Sequence, residues 1–460
     1  MIIPKFAPIN KYRIKNRHRN WKNTIEEKLV LGYSVFMINV SENVFDTVYA
    51  DSLMERFLRY VKTWSESDSS RADEGIMPST PQQQDMATIL NQEMKNMGLE
   101  DVQTTEHCYT YGRLKASPGK ENAPSICLLA HIDTVEEVSG RNVKPIVHKN
   151  YDGKAITLPY GNVLDPEKDK ALFLAGQQGD TIITSDGTTL LGADDKAGVS
   201  EIMTALEFLI KHPEIRHGTI EVIFSPDEET GHGMDKVPLE LVKSKAAYTV
   251  DGGHIGELEI ECFNAYKSDV VFKGNSIHTG NGRPDLVNAI SMAAAFVRSL
   301  PYTQLPETTD GMQGFFAPMS INGSIESATV SLILRDFDNA EIEKRKGLVN
   351  QIADTVASTF GGKAEVTHTL QYLNMKSSIE ASKGVVENLV SAYTEAGVQP
   401  TFVPIRGGTD GSRLTEMGIP TPNIFTGGHN YHSRSEWASF SQMIYATEVL
   451  IQLARIWAEQ

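Results

Sequence analysis

Cysteine is scarce in this chain: Cys108, Cys127 and Cys262 are the only three in 460 residues, and they are widely spaced. That excludes a disulfide framework and a cysteine-built zinc finger, and it fits a reducing compartment, the cytoplasm. Long apolar runs are also missing. The run over residues 29–40 is a dozen residues long, too short to span a bilayer, and no membrane association is expected. Positive charge is in deficit, with 43 Lys+Arg against 59 Asp+Glu and a formal charge of −16. A dedicated nucleic-acid binder needs the opposite balance. There is no internal repeat and no low-complexity tract. With 40% hydrophobic and 22% charged residues, the chain has enough core-forming side chains to exclude a largely disordered protein.

The charge is unevenly placed. Residues 1–40 hold eight bases and two acids, so the remainder carries the whole negative excess. Residues 1–45 are expected to form a weakly ordered basic extension, with Met54 an alternative start and an amphipathic surface segment the lesser reading.

From residue 46 onward, helical and strand patterns alternate. Helices are expected over 53–64, 82–97 and 199–212, and strands over 125–130, 219–224 and 247–250. Such alternation predicts an α/β sheet covered on both faces. Between 263 and 375 the texture shifts to a β-α-β-α-β series, with strands over 268–272, 329–334 and 364–369 and helices over 286–300 and 340–359. The expected architecture is a mixed-sheet α/β catalytic domain, 46–262 and 376–460, interrupted by an inserted α+β domain, 263–375. Helices return over 382–396 and 441–459.

Five short segments place metal ligands where strands or helices should end. In AHIDT, His131 and Asp133 lie at i and i+2 of a strand and share a face, so the acid can orient the imidazole. Taken alone, a structural His beside an Asp is the commoner meaning of such a pair. In LGADDKAG, Asp194 and Asp195 stand before a helix and could simply cap it. In SPDEETG, Asp227, Glu228 and Glu229 repel one another unless a cation or solvent relieves them. One can ligate metal while its neighbour serves as base to a water. Asp251 in VDGG and His432 in FTGGHNYH complete the series. Together these segments supply two imidazoles and enough carboxylates for two divalent cations sharing a bridge.

The stretches AHIDT, SDGTTLLGADDKAGVSEIMTAL, PDEETGHG, VDGGHIGELE, PIRGGTDGSRL and NIFTGGHNYH carry a further message. From about Met54 to the C-terminus, the chain resembles the peptidase T family, the tripeptide aminopeptidases of the dizinc aminoacylase and carboxypeptidase superfamily. The resemblance implies that Asp194 bridges two zinc ions. His131 and Asp251 would complete one site, and Glu229 and His432 the other. Glu228 would be the general base, Asp133 the residue orienting His131, and Asp194–Asp195 a cis peptide.

It further implies that His278, in NSIHTG, stabilises the oxyanion, often from the partner subunit of a homodimer formed through the inserted lid. The family usually has Pro where this chain has Thr279. Arg335 and Arg406 could fork onto a substrate carboxylate, with surface salt bridges the competing reading, and Asn288 is a weaker substrate contact. Cobalt or manganese could replace zinc, since carboxylate-rich sites are permissive. The implied activity is release of the N-terminal residue of tripeptides by a hydroxide held between the metals. A dipeptidase or N-acyl amino acid amidohydrolase of the same superfamily is the alternative. A non-catalytic metal-binding protein is the more distant one, disfavoured because such a protein needs no base beside its metals.

Overall fold

Four parallel strands carry the centre of the molecule in the computed structural model, which describes residues 47–460. They are Ile220–Ser225, Ile126–His131, Ala247–Gly252 and Asn423–Phe425, neighbours in that order. The first two are buried along their whole length, as expected of parallel strands covered on both faces. Antiparallel Thr110–Leu114 and Glu100–Thr104 extend the sheet on one side. Glu257–Cys262 and Thr401–Ile405 close the other, making eight strands in all. The sheet is therefore mixed, in an α/β architecture.

Helix ends follow the sequence closely. The helix Gln83–Met97 stops at Gly98, which takes the left-handed conformation (φ 87°) that a side chain would disfavour. The expected helix over 199–212 begins earlier, at Ala193, and ends at Lys211. Asp194 and Asp195 lie inside its first turn with non-helical backbone angles, and the peptide between them is cis. The two acids are therefore displaced from the regular helix rather than merely preceding it.

A second, antiparallel sheet lies in residues 264–372. Its spatial order is Phe315–Gly323, Ser327–Asp336, Asn264–Lys273 and Lys363–Tyr372. Helices Ala289–Ser299 and Asn339–Phe360 cover one face, around Val270, Phe272, Phe296, Val330, Leu332 and Val349. The five-element series expected there is incomplete, because Phe315–Gly323 is an additional strand. Pro318 interrupts its run, its register slips between Pro318 and Ser320, and its last five residues are exposed. An edge strand of that kind shows no period-two pattern to read. The basic extension expected over 1–45 lies outside the described residues. Among those described, no helix is long and apolar enough to cross a membrane.

Candidate metal centre

The four parallel strands deliver their ligands at one end, the carboxyl end, where open α/β sheets place ligands. His131 is the last residue of its strand, Glu228 and Glu229 follow Ser225 in the turn beyond theirs, and Asp251 sits in the final pair of its own. His432 lies beyond Asn423–Phe425, in the turn that joins Gly428–His429 to Trp437–Ser439. The kinked helix start adds Asp194.

The ligand atoms meet in a chain. His131 Nε2 lies 2.9 Å from Asp194 Oδ1 and 3.6 Å from Asp251 Oδ1. The other Asp194 oxygen lies 3.2 Å from His432 Nε2, which is 3.0 Å from Glu229 Oε2. One carboxylate thus stands between two imidazoles, each with a second acid beside it. Two overlapping groups bring one ligand atom per residue within 4.8 Å of one another: His131, Asp194 and Glu229, and His131, Asp195 and Asp251. His432 is the open member, its side chain 45% exposed against 2% for His131, so the centre faces solvent on the His432 side.

The electrostatics show what this donor set requires. Burial chiefly, with Asp194 beside it, pushes the Glu229 carboxyl up to about 8. Burial raises Asp251 to about 6, against the pull of His131. Burial also acts to raise Asp194, but hydrogen bonds from His131 and His432 outweigh it and leave it below the carboxylate range. His432, bonded to Asp194 and Glu229, is raised to about 11. Protons on imidazoles and acids here stand in for positive charge that the donor set lacks. Glu229 Oε1 is buried with no hydrogen-bond partner. Two hard-to-borderline dications would satisfy both the charge and that orphaned oxygen.

Asp133 holds this centre together from below. Its Oδ1 lies 3.3 Å from His131 Nδ1, and its main-chain carbonyl is 3.1 Å from the same nitrogen. The same carboxylate accepts the main-chain N–H groups of Glu228 and Glu229, at 3.1 and 3.2 Å. The Glu228 carboxyl is pushed well above the ordinary value, chiefly by burial, with Asp251, Asp410 and Glu229 acting the same way and His131 opposing.

Three further residues have contacts that the sequence did not assign them. Asp195 accepts the N–H groups of His131 and Gly198, at 3.3 and 3.2 Å. Glu436 accepts N–H groups from Leu191, Gly192 and Asp194, pinning the loop that presents Asp194. Asp410, raised to about 7 chiefly by burial, accepts from Ser225 at the end of the central strand. Asp410 lies within the quoted stretch PIRGGTDGSRL, which could have flagged it. Glu436 is a lone acid, and no sequence signal marks it.

Of the remaining candidates, His278, Asn288 and Arg335 lie within residues 264–372 and Arg406 directly follows Thr401–Ile405 of the large sheet; their hydrogen bonds go to other groups than the clustered acids and imidazoles. His278 is exposed, and its Nδ1 accepts from Gly280 N at 3.2 Å. Asn288 caps the helix Ala289–Ser299 by accepting from Ile290 N and Ser291 N. Arg406 donates to the carbonyls of Gly311 and Gln313 at 2.6 and 2.9 Å. Arg335 is buried, donates to Leu334 O at 3.1 Å and lies 5.4 Å from the centre of the Tyr372 ring. Neither arginine forms a salt bridge among the described residues, so the salt-bridge reading fails for both.

A mixed sheet presenting paired histidines and acids at its carboxyl end suits a metal-dependent hydrolase, and the chain belongs to peptidase family M20/M25/M40, whose model matches residues 186–456. Within it, the similarity is to peptidase T. The peptidase T of Listeria innocua is 43% identical over 413 residues, 89% of this chain and 99% of that protein. The peptidase T of Clostridium perfringens is 44% identical over 407 residues, 88% and 99% respectively. The solved aminopeptidase PepT of Bacillus cereus shares the fold at a TM-score of 0.68 and 23% identity, over 89% of this chain and 99% of that one. A tripeptidase from Staphylococcus aureus superposes with a TM-score of 0.70, also at 23% identity and over the same shares.

Proposed function

We propose that this protein is a zinc-dependent aminopeptidase that releases the N-terminal residue of tripeptides. The observation that carries the reading is the Asp194 carboxylate set between His131 and His432, with the Glu228 peptide held by Asp133, which also faces His131. His131 and Asp251 would hold one zinc, Glu229 and His432 the other, and Asp194 both. When bound, such a pair of cations supplies Lewis acidity to a water and to the scissile carbonyl.

The chain's own residues do the rest. Glu228 takes the proton of the attacking water and returns it to the leaving amine. Asp133 fixes the His131 ring and the Glu228 peptide together. Arg335, a buried guanidinium without an acid partner, is available to a peptide carboxylate. Residues 263–375 act as lid and dimerisation surface. The edge strand Phe315–Gly323 exposes Met319 (65%) and Ile321 (47%), which suits burial against a second copy. His278, which touches nothing in the centre of its own chain, would serve the partner's site and stabilise the oxyanion there. The protein works in the cytoplasm, consistent with three free cysteines.

The test is Glu228→Ala. It should keep two metals per chain and lose nearly all tripeptide hydrolysis; wild-type turnover would end the assignment of base. A panel of di-, tri-, tetra- and N-blocked peptides separates the alternatives, since preference for a blocked peptide would reject an aminopeptidase.

A further inference from the structure

Asp227 is the acid of the Asp-Glu-Glu run that the reaction does not use, yet it is wholly buried. Its carboxylate is turned to a separate set of donors. Oδ2 accepts Ser79 N at 2.7 Å, and Oδ1 accepts the Ser79 hydroxyl and Gln83 Nε2, the latter at 2.6 Å. Gln83 closes the contact from its other end, accepting the N–H of Asp227 at 3.2 Å through Oε1. Ser79 and Gln83 are themselves fully buried. One amide thus grips both the main chain and the side chain of a single residue, which fixes its rotamer and its backbone together.

That residue sets the direction of the turn. Asp227 has φ 57°, in the left-handed region that Asp tolerates better than most side chains. Immediately after it, the N–H groups of Glu228 and Glu229 both reach the Asp133 carboxylate. The turn is closed by Gly231 N donating to Glu228 O at 2.7 Å and His232 N to Asp227 O at 3.1 Å. The peptide carrying Glu228 is therefore held on two sides, by Asp133 on its N–H groups and by Ser79 and Gln83 through Asp227. The donors on Asp227 also draw one of three adjacent acids away from the other two, relieving repulsion that would otherwise splay the run.

We propose that Ser79 and Gln83 are positioning residues for catalysis: through Asp227 they fix the turn that aims Glu228 at its water. A base misplaced by a fraction of an ångström loses rate without losing substrate binding. The proposal rests on Glu228 being the base.

The experiment compares Gln83→Met, Ser79→Ala, Asp227→Asn and the double variant Gln83→Met/Asp227→Asn with Glu228→Ala, in zinc-loaded full-length protein on one tripeptide. Asn keeps the left-handed preference, so Asp227→Asn removes the acceptor charge without adding backbone strain. Met keeps the volume of Gln83. The expected result is kcat lowered about tenfold or more in Gln83→Met and Asp227→Asn, with KM within about twofold and two metals retained. Ser79→Ala, which loses one of two Ser79 donors, should fall between these and the parent. The double variant should be no worse than Asp227→Asn by more than about twofold, because one contact is being removed twice. If Asp227→Asn does not fold, Gln83→Met alone decides. Unchanged kcat in Gln83→Met overturns the proposal. So does loss of metal, which would assign the clamp to Glu229, and so does a rise in KM at constant kcat. Full turnover by Glu228→Ala would instead overturn the base on which it rests.

Discussion

Gly198 and Val250 touch backbone to backbone: a Cβ at position 198 would lie 1.8 Å from the Val250 carbonyl oxygen. Gly198 belongs to the helix Ala193–Lys211, whose first turn carries Asp194, and Val250 precedes Asp251 on its strand. The close approach brings these two ligand-bearing elements within reach of His131. Gly198→Ala has no flexible neighbour to displace and must push helix from strand. It should cost about 1–3 kcal/mol of stability and lower metal occupancy. Thermal unfolding and metal analysis would read both, and a variant with parental Tm and full metal content would contradict the contact.

Glu436 holds the Asp194 main chain from a distant part of the sequence. It accepts the Asp194 N–H at 3.2 Å across 242 residues of chain, together with those of Leu191 and Gly192. Glu436→Gln must turn an amide N–H toward at least one of these donors. Metal affinity should fall about 10–100-fold, as when other outer partners of metal ligands are lost, while the fold remains. Competition with a chromogenic chelator measures it, and unchanged affinity would mean that the loop holds itself.

Metal removal should make stability depend on pH in a definite direction. In the metal-free centre, Glu229 is raised to about 8 and Asp251 to about 6, both chiefly by burial. Each keeps in the folded state a proton that the unfolded chain releases near pH 4. His432, raised to about 11 by Asp194 and Glu229, keeps a proton that the unfolded chain loses near 6.5. All three contributions are fully present at low pH and are lost as pH rises. Chelated protein should therefore lose Tm steadily from about pH 5 to 9, and bound metal should flatten the curve. A metal-free Tm that climbs over that range would refute the charge reading of the centre.

Arg335 sets stability against function. Burial pulls its guanidinium below the ordinary arginine value, and no acid pairs with it among the described residues. Arg335→Met should leave stability unchanged or raise it by about 1 kcal/mol. Tripeptide kcat/KM should drop about tenfold or more through loss of the carboxylate partner. Equal activity with both side chains would remove Arg335 from the substrate contacts.

Much of the centre was legible because its ligands sit where buried strands end, and hydrophobic runs mark those ends. Ile126–His131 and Ile220–Ser225 are buried throughout and mostly apolar, Glu221 excepted, and an acid stands two residues beyond each, Asp133 and Asp227. The helix Gln83–Met97 was legible to within a residue, since Gly98 closes it. Other features left no local trace. Phe315–Gly323 pairs along an edge and shows no alternation. Glu436 looks like any solvated acid until its three main-chain donors are seen. Asp227 reads as part of a charge run, although its partner Gln83 stands 144 residues away.

The sequence alone determined the kind of chemistry available: two imidazoles, a supply of carboxylates and a spare glutamate, in an order and spacing that match one family of peptidases. Local pattern suffices for that, because side-chain type and strand or helix period are properties of neighbouring residues. How each acid is held, and by which donors, depended on contacts between distant segments. Asp194, Glu228 and Asp227 are all simply acidic in sequence. Their roles diverge only when folding hands each a different set of donors, from His131 and His432, from Asp133, and from Ser79 and Gln83.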